Sequence, residues 1–129
     1  MKDIETRSDI ETLMRAFYKR VFTDKVIGFI FTDVAHMDLE HHLPIITDFW
    51  ENVLFNTGVY KGNPMEPHFD LNQKVPFEAE YFERWLSLFC ETVNENFCGE
   101  YANLACMRAK SIAAIMQSKL ALINQGKLH

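Results

Sequence analysis

Apolar residues recur along most of the chain every three or four positions, the spacing that places them on one face of a helix. A first stripe lies between about residues 9 and 22 and contains Ile10, Leu13, Met14, Phe17, Tyr18 and Val21. It overlaps Ser8-Asp9-Ile10-Glu11, which has the S-x-x-E form of a capping box. The pattern therefore predicts a first helix over roughly residues 9–22.

The next segments predict a short element and then a second long helix. The apolar stretch from Val26 to Phe31 fits one or two helical turns or a buried strand, and we favour the helix because no partner strand is visible. Residues 32–38 are expected to form the connection to the second long helix. Because Pro44 is tolerated only in a first turn, the second helix is expected from near His41 to about Phe55. Its apolar face contains His42, Ile46, Phe49, Trp50 and Val53.

Glycine and proline interrupt residues 56–76 at Thr57-Gly58, Gly62-Asn63-Pro64 and Pro67. This punctuation predicts a long loop with at most a short helix, and loops of that length inside a compact domain are usually functional. A third long helix is expected to open at Phe77 or Glu78 and to end near Phe97-Cys98-Gly99, where glycine can cap it. A fourth, alanine-rich helix suited to close packing follows at once.

Composition supports an all-α protein of one domain, residues 1–129. The chain has 129 residues, 48% of them hydrophobic, with eleven Phe and only five Gly and four Pro, so a turn-rich β sandwich fits poorly. The formal charge of −5 and the lack of a basic run argue against a nucleic acid partner.

The sequence also suggests a compartment. The segment from Met1 to Ser8 is too polar for a secretory signal, and no apolar run approaches the ~18 residues of a membrane span. The cysteines Cys90, Cys98 and Cys106 are odd in number and lack C-x-x-C spacing. We expect reduced thiols in a cytoplasmic protein, either redox-active or simply small buried hydrophobes.

His68 is the candidate metal ligand, because it lies directly after Pro67 in the segment of residues 56–76 that glycine and proline interrupt. A neutral imidazole binds iron, and one proximal histidine can hold a haem. On the spacing alone, an ordinary surface or core-satisfied loop histidine is the favoured interpretation. No paired histidines or Glu-x-x-His occur at helical spacing, and no G-x-S-x-G or glycine-rich phosphate loop is present, so zinc, di-iron, hydrolase and nucleotide sites have no motif.

Tyr18, His42 and Trp85 form a second set, since each places a polar tip on the apolar stripe of a different predicted helix. All three tips can donate hydrogen bonds. If they converge, they form a cavity for a small, partly negative ligand such as dioxygen. Each is also compatible with a core side chain whose polar atom bonds to the backbone.

The order of these features resembles the group III truncated haemoglobins. The resemblance extends from Phe17 to about Ala113 and is strongest at Phe17-Tyr18, Asp48-Phe49-Trp50, Tyr60-x-Gly-Asn-Pro64, His68, Phe82-Glu83-Arg84-Trp85-Leu86 and Arg108-Ala109. It implies a shortened globin fold, a two-over-two helical sandwich around haem b.

The resemblance also implies a role for each candidate residue. His68 would be the proximal iron ligand, with Tyr18 and Trp85 donating to the ligand and His42 as a distal gate. The remaining pocket residues would be Phe31, Ile46, Phe49, Trp50, Phe82 and Met116, with Arg84 at a propionate. Pro44, inside the helix that carries His42, is expected to affect where that imidazole points.

Three functions remain open at this stage. The first is binding of dioxygen, nitric oxide or carbon monoxide by ferrous haem. The second is a haem enzyme that converts nitric oxide and dioxygen to nitrate, or reduces peroxide, with electrons from a separate reductase, because the chain has no flavin or nicotinamide motif. The third is a haem-free helical interaction module.

Overall fold

The computed structural model describes residues 1–60, residue 62 and residues 65–124, and among residues 65–70 it describes only the His68 side chain. These residues form helices and no strand. The helices are α1 (Arg7–Thr23), a π-helix (Ile30–Val34), α2 (Leu39–Phe55), α3 (Met65–Lys74), α4 (Ala79–Asn96) and α5 (Glu100–Asn124). No helix in the described part of the chain is long and apolar enough to cross a membrane.

Helix α1 begins two residues earlier than predicted, and its capping box is a different one. Thr6 is the N-cap: its hydroxyl accepts from the Asp9 amide at 3.2 Å, and the Asp9 carboxylate accepts from the Thr6 amide at 3.1 Å. The prediction of a Ser8–Glu11 box was therefore wrong. Lys2 contacts the same Asp9 carboxylate at 2.8 Å, an ion pair that favours the earlier box.

The apolar stretch after α1 is helical, as favoured, and Asp24 starts it. The Asp24 carboxylate accepts from the amides of Val26 and Ile27 at 3.0 and 3.1 Å, which closes a turn. The π-helix follows and extends to Val34, so the connection before α2 is shorter than expected.

Helix α2 begins at Leu39, before the predicted start near His41, and Pro44 therefore lies inside the helix rather than in its first turn. The His42 amide donates to the Asp38 carbonyl at 3.0 Å, which closes the first turn ahead of the proline. Proline cannot donate to the carbonyl four residues before it, so one helical hydrogen bond is missing at this point. Asn56, in the left-handed conformation at φ 55°, ends the helix.

The predicted long loop contains a ten-residue helix, α3, which is longer than the short helix expected there. Asn72 on α3 is 3% exposed and anchors the segment. Its side-chain amide donates to Asn124 of α5 at 2.8 Å, and its oxygen accepts from the Phe77 amide at 2.8 Å. A contact to a residue 52 positions away stabilises this segment, and local punctuation cannot reveal it.

Two helix pairs form the body of the structure: α1 packs on α2, α4 packs on α5, and α1 also crosses α4. The main core lies between them and is lined by fully buried residues such as Phe17, Phe89, Val93, Ala105 and Ala109. A second apolar cluster, Phe82, Ala113, Met116 and Leu120, lies toward the carboxyl-terminal end of α5.

The junction between α4 and α5 differs from the predicted glycine cap. Phe97 is the C-cap of α4, and its amide donates to the Val93 carbonyl at 2.8 Å. Gly99 instead precedes α5 with φ +143°, and a Cβ built there would lie 2.6 Å from Cγ of Asp3. Glycine is therefore required by the approach of Asp3 and not by the end of α4.

Asp3 caps the amino-terminal end of α5 from the other end of the sequence. One carboxylate oxygen accepts from the amides of Ile4 and Ala102, both at 2.8 Å, and the other accepts from Tyr101 at 2.9 Å. Burial by itself would raise the pKa of Asp3, but the hydrogen bonds from the Tyr101, Ala102 and Ile4 amides outweigh it and hold the pKa below its ordinary value.

We expect Asp3→Asn to lower the free energy of unfolding at pH 7 by about 1–2 kcal/mol, because the NH₂ group replaces one of the two accepting oxygens and leaves a backbone N–H without its partner. Because the folded-state pKa is lowered, the stabilisation is complete above the unfolded pKa near 3.8 and is lost as the pH falls through the folded value. Urea unfolding at pH 7 and below pH 3 measures both effects.

The matched control is Asp38→Asn, because Asp38 is the N-cap of α2 but makes no side-chain capping hydrogen bond. We expect a change below about 0.5 kcal/mol there. Equal losses in the two variants, or an Asp3→Asn loss that persists at low pH, would contradict the assignment of Asp3 as the cap.

Candidate functional site

Tyr18 on α1 and Trp85 on α4 both pack against the buried Phe17 ring. The Phe17 centroid is 5.0 Å from that of Tyr18 and 5.8 Å from that of Trp85, and both contacts are edge-on. Within the described residues, neither the Tyr18 hydroxyl nor the Trp85 indole N–H has a hydrogen-bond partner. The structure therefore brings two of the three predicted donors to one region and leaves their polar atoms unused.

The surroundings of Tyr18 are aromatic. Phe22 and Phe31 lie with their ring centroids 6.0 Å from the Tyr18 ring. Burial raises the pKa of the Tyr18 phenol far above its ordinary value, because ionisation would place a charge among apolar rings. The hydroxyl therefore keeps its proton at neutral pH and remains a hydrogen-bond donor.

Trp85 is held by stacking. Its ring lies on Phe89 with centroids 5.5 Å apart and an interplanar angle of 16°, and Trp50 of α2 lies on the same Phe89 at 4.8 Å and 22°. Trp50 is 5% exposed and belongs to the main core. This packing orients Trp85, which is itself only partly buried.

The other predicted residues of α2 differ in position. Ile46 and Phe49 are partly buried and pack against the main core, and Phe49 also contacts Tyr60 edge-on at 5.2 Å. His42 is exposed, and among the described residues its ring contacts that of His41 at 5.3 Å but neither Tyr18 nor Trp85. The structure does not bring His42 to the other two donors.

His68 lies on α3 and is partly buried. Its ring centroid is 6.3 Å from that of Phe77, and Phe77 is 5.8 Å from Phe82. Phe82 and Met116 form the second apolar cluster, against which Trp85 also packs. Trp85 therefore joins the Tyr18 region to the region that begins at His68.

Arg84 has a protein partner that the sequence did not predict. Its guanidinium contacts the Asp24 carboxylate at 2.6 and 2.8 Å, and the Asp24 side chain is 3% exposed. Burial opposes ionisation of Asp24, but the hydrogen bonds from Arg84 and from the Ile27 and Val26 amides hold its pKa below the ordinary value. This ion pair connects the end of α1 to α4 at the residue before Trp85.

Sequence reasoning missed Asp24, Phe17 and Phe77 as residues that position the site. The signals were weak: Asp24 follows the first apolar stripe, Phe17 lies within that stripe, and Phe77 was expected only to open the third long helix. Their importance depends on which rings they meet across the fold.

The arrangement fits a flat, largely apolar group with a polar centre. Several inward apolar side chains remain only partly buried, namely Phe31, Ile46, Phe49, Phe77 and Trp85. Two unused donors lie among them, and an imidazole lies beyond Phe77 and Phe82. Partly exposed aromatic and aliphatic side chains near an imidazole and two hydrogen-bond donors are residue types that can hold a haem.

Comparisons with known proteins place the fold in a family. No family model matches the chain. The chain is 36% identical over 117 residues to the group 3 truncated haemoglobin ctb of Campylobacter jejuni, covering 88% of this chain and 90% of that protein. The crystal structure of the group III truncated haemoglobin from Campylobacter jejuni superposes with a TM-score of 0.81 at 36% identity, covering 93% of this chain and 95% of that one. The predicted all-α, shortened globin fold is thus confirmed, and the chain belongs to the group III truncated haemoglobins.

Proposed function

We propose that this protein binds haem b with His68 as the iron ligand and that Tyr18 and Trp85 would donate hydrogen bonds to a diatomic ligand, above all dioxygen. One observation carries the proposal: Tyr18 and Trp85, two hydrogen-bond donors from different helices, both pack against the buried Phe17 ring, and each side chain remains partly exposed. Donors that stay accessible beside apolar rings can bind a ligand that accepts from both.

His68 would supply the bond that retains the cofactor. A neutral imidazole offers one ring nitrogen to iron, and the orientation of the ring must be fixed for that nitrogen to point correctly. Phe77 packs edge-on to the His68 ring, and the Asn72 contact to Asn124 anchors the helix that carries it. These contacts support the proximal role of His68.

Tyr18 and Trp85 would act on the ligand by donating hydrogen bonds. When bound, haem would supply a ferrous iron with affinity for a diatomic molecule. The Tyr18 phenol keeps its proton, and the Trp85 indole can only donate, so both favour a ligand with partial negative charge.

The remaining pocket residues stay predictions. Phe31, Ile46, Phe49, Phe82 and Met116 offer apolar surface to the haem, whereas Trp50 would support it from the core through Phe89. A propionate would have to share Arg84 with Asp24. A distal role for His42 requires its exposed side chain to turn inward. The single domain and the cytoplasmic location also remain predictions from the sequence.

Enzymatic turnover of nitric oxide or peroxide in the same pocket is the alternative function. The same donors would polarise an oxygen–oxygen bond, but each cycle needs electrons from a separate reductase. Sustained nitric oxide consumption with an added flavin reductase distinguishes turnover from binding.

Hemin titration of the purified protein tests cofactor binding. We expect a strong Soret band that grows to one equivalent of hemin per chain and then stops. Absence of a Soret band both before and after hemin addition would contradict every haem function and leave the helical interaction module.

A further inference from the structure

Two cysteines face each other across the hairpin of α4 and α5. The helices are joined by only three residues, Phe97, Cys98 and Gly99. Cys90 and Cys106 each lie eight residues from Cys98, one before it and one after it. In an antiparallel helical hairpin, residues equally far from the turn lie at the same level. The topology therefore places these two cysteines side by side.

The interface between the helices allows a close approach at this level. Helix α5 presents Ala102, Ala105 and Ala109, all at most 1% exposed, toward the buried Phe89 and Val93 of α4. Side chains this small let two helix backbones pack closely. Cys90 follows Phe89 and Cys106 follows Ala105, so both cysteines border the contact, and both are partly buried against the main core.

The two thiols also influence each other. Burial, a hydrogen bond with Cys90 and the charge of Cys90 together raise the pKa of the Cys106 thiol to about 12. Cys106 therefore remains a protonated thiol at neutral pH, which slows its attack on another sulfur and fits it to be the second thiol to react and not the first. Cys98, in contrast, is exposed at the turn.

From this juxtaposition we propose that Cys90 and Cys106 form an oxidative modification site, at which a peroxide joins them in a disulfide that links α4 to α5. The Cys90 sulfur first displaces water from hydrogen peroxide and becomes a sulfenic acid. The Cys106 sulfur then attacks the Cys90 sulfur, and the sulfenic hydroxyl leaves with the Cys106 proton as a second water. Two thiols are oxidised by two electrons, and one peroxide is reduced to two waters.

The disulfide would act on the part of α4 that carries Trp85. Cys90 is adjacent to Phe89, on which Trp85 and Trp50 stack. A covalent link to α5 at this level would restrict the movement of α4 relative to α5. Formation of the bond requires no haem, so its outcome is independent of the proposed function.

The test uses the full chain with Cys98→Ser, which removes the exposed thiol. After treatment with hydrogen peroxide, denatured but unreduced protein is expected to lose two hydrogens in intact mass and to yield one peptide that joins Cys90 to Cys106. Dithiothreitol should restore both thiols. The controls Cys98→Ser/Cys90→Ser and Cys98→Ser/Cys106→Ser are expected to gain oxygen and never to lose two hydrogens.

Three results would overturn the proposal. These are two intact thiols after peroxide has oxidised a free cysteine standard, sulfinic acids in place of the disulfide, or disulfides between chains. If a serine control fails to fold by circular dichroism, the peptide map of the Cys98→Ser protein decides alone.

Discussion

Dioxygen is expected to dissociate much faster from the haem-loaded protein when Tyr18 and Trp85 are both replaced by phenylalanine. Phenylalanine keeps the six-membered ring of Tyr18 and puts a smaller aromatic ring in place of the Trp85 indole that stacks on Phe89, and it removes the O–H or N–H. A hydrogen bond to a charged or strongly polarised group contributes ~1.5–3 kcal/mol, which corresponds to roughly 10-fold to 100-fold in rate for each donor. Stopped-flow displacement of dioxygen by carbon monoxide measures this rate.

Each single variant should show part of the increase, with some non-additivity because both donors would bind one ligand. Tyr81→Phe is the matched control, since Tyr81 is a partly buried tyrosine on α4 that packs against Phe29. Its dissociation rate should equal that of the unmodified chain. An unchanged rate in the double variant would show that the two donors do not hold the ligand.

Replacing His68 by alanine is expected to abolish stable haem retention. The imidazole is the proposed bond between protein and iron, and the apolar pocket alone leaves the cofactor free to exchange. The predicted result is a Soret band that disappears on gel filtration or transfers quickly to apomyoglobin. Added imidazole should restore part of the band, because a free imidazole fits the space that the side chain vacates.

The control for His68 is His41→Ala, an exposed histidine on α2. It should retain haem as the unmodified chain does. Full retention of haem by His68→Ala without imidazole would exclude His68 as the required ligand and turn attention to the other histidines.

The sequence predicts the number and order of the long helices well, because apolar periodicity reports the faces that α1, α2, α4 and α5 bury. Their ends are harder to place. Thr6 and Ser8 both fit a capping box, and the ion pair of Lys2 with Asp9 favours the first. Pro44 looked like a first-turn residue, yet helix packing tolerates it further in.

Long-range contacts explain the structural features that the local pattern of apolar and polar residues does not predict. The length of α3 depends on Asn72, whose partner Asn124 lies at the other end of the chain. Asp3 caps α5 across 98 residues of sequence. No window of ten or fifteen residues contains both members of either pair, so periodicity and punctuation cannot predict them.

The candidate site likewise contains positions that the sequence predicts and positions that it does not. The ordered residues of the family resemblance identify Tyr18 and Trp85, which the structure brings to the same phenylalanine. The side-chain direction of His42 and the pairing of Arg84 with Asp24 depend on tertiary contacts. At these positions the resemblance indicates the type of residue but not the residue that its side chain contacts.

If His68 is the iron ligand, the iron–histidine stretching vibration must involve the imidazole nitrogen of His68. The ferrous, ligand-free protein is labelled with ¹⁵N in all histidines and compared with labelled His68→Ala that is loaded with haem in unlabelled imidazole. We predict an isotope shift of the band in the labelled chain and none in the rescued variant. A shift that persists in the variant would show that another histidine of this chain binds the iron.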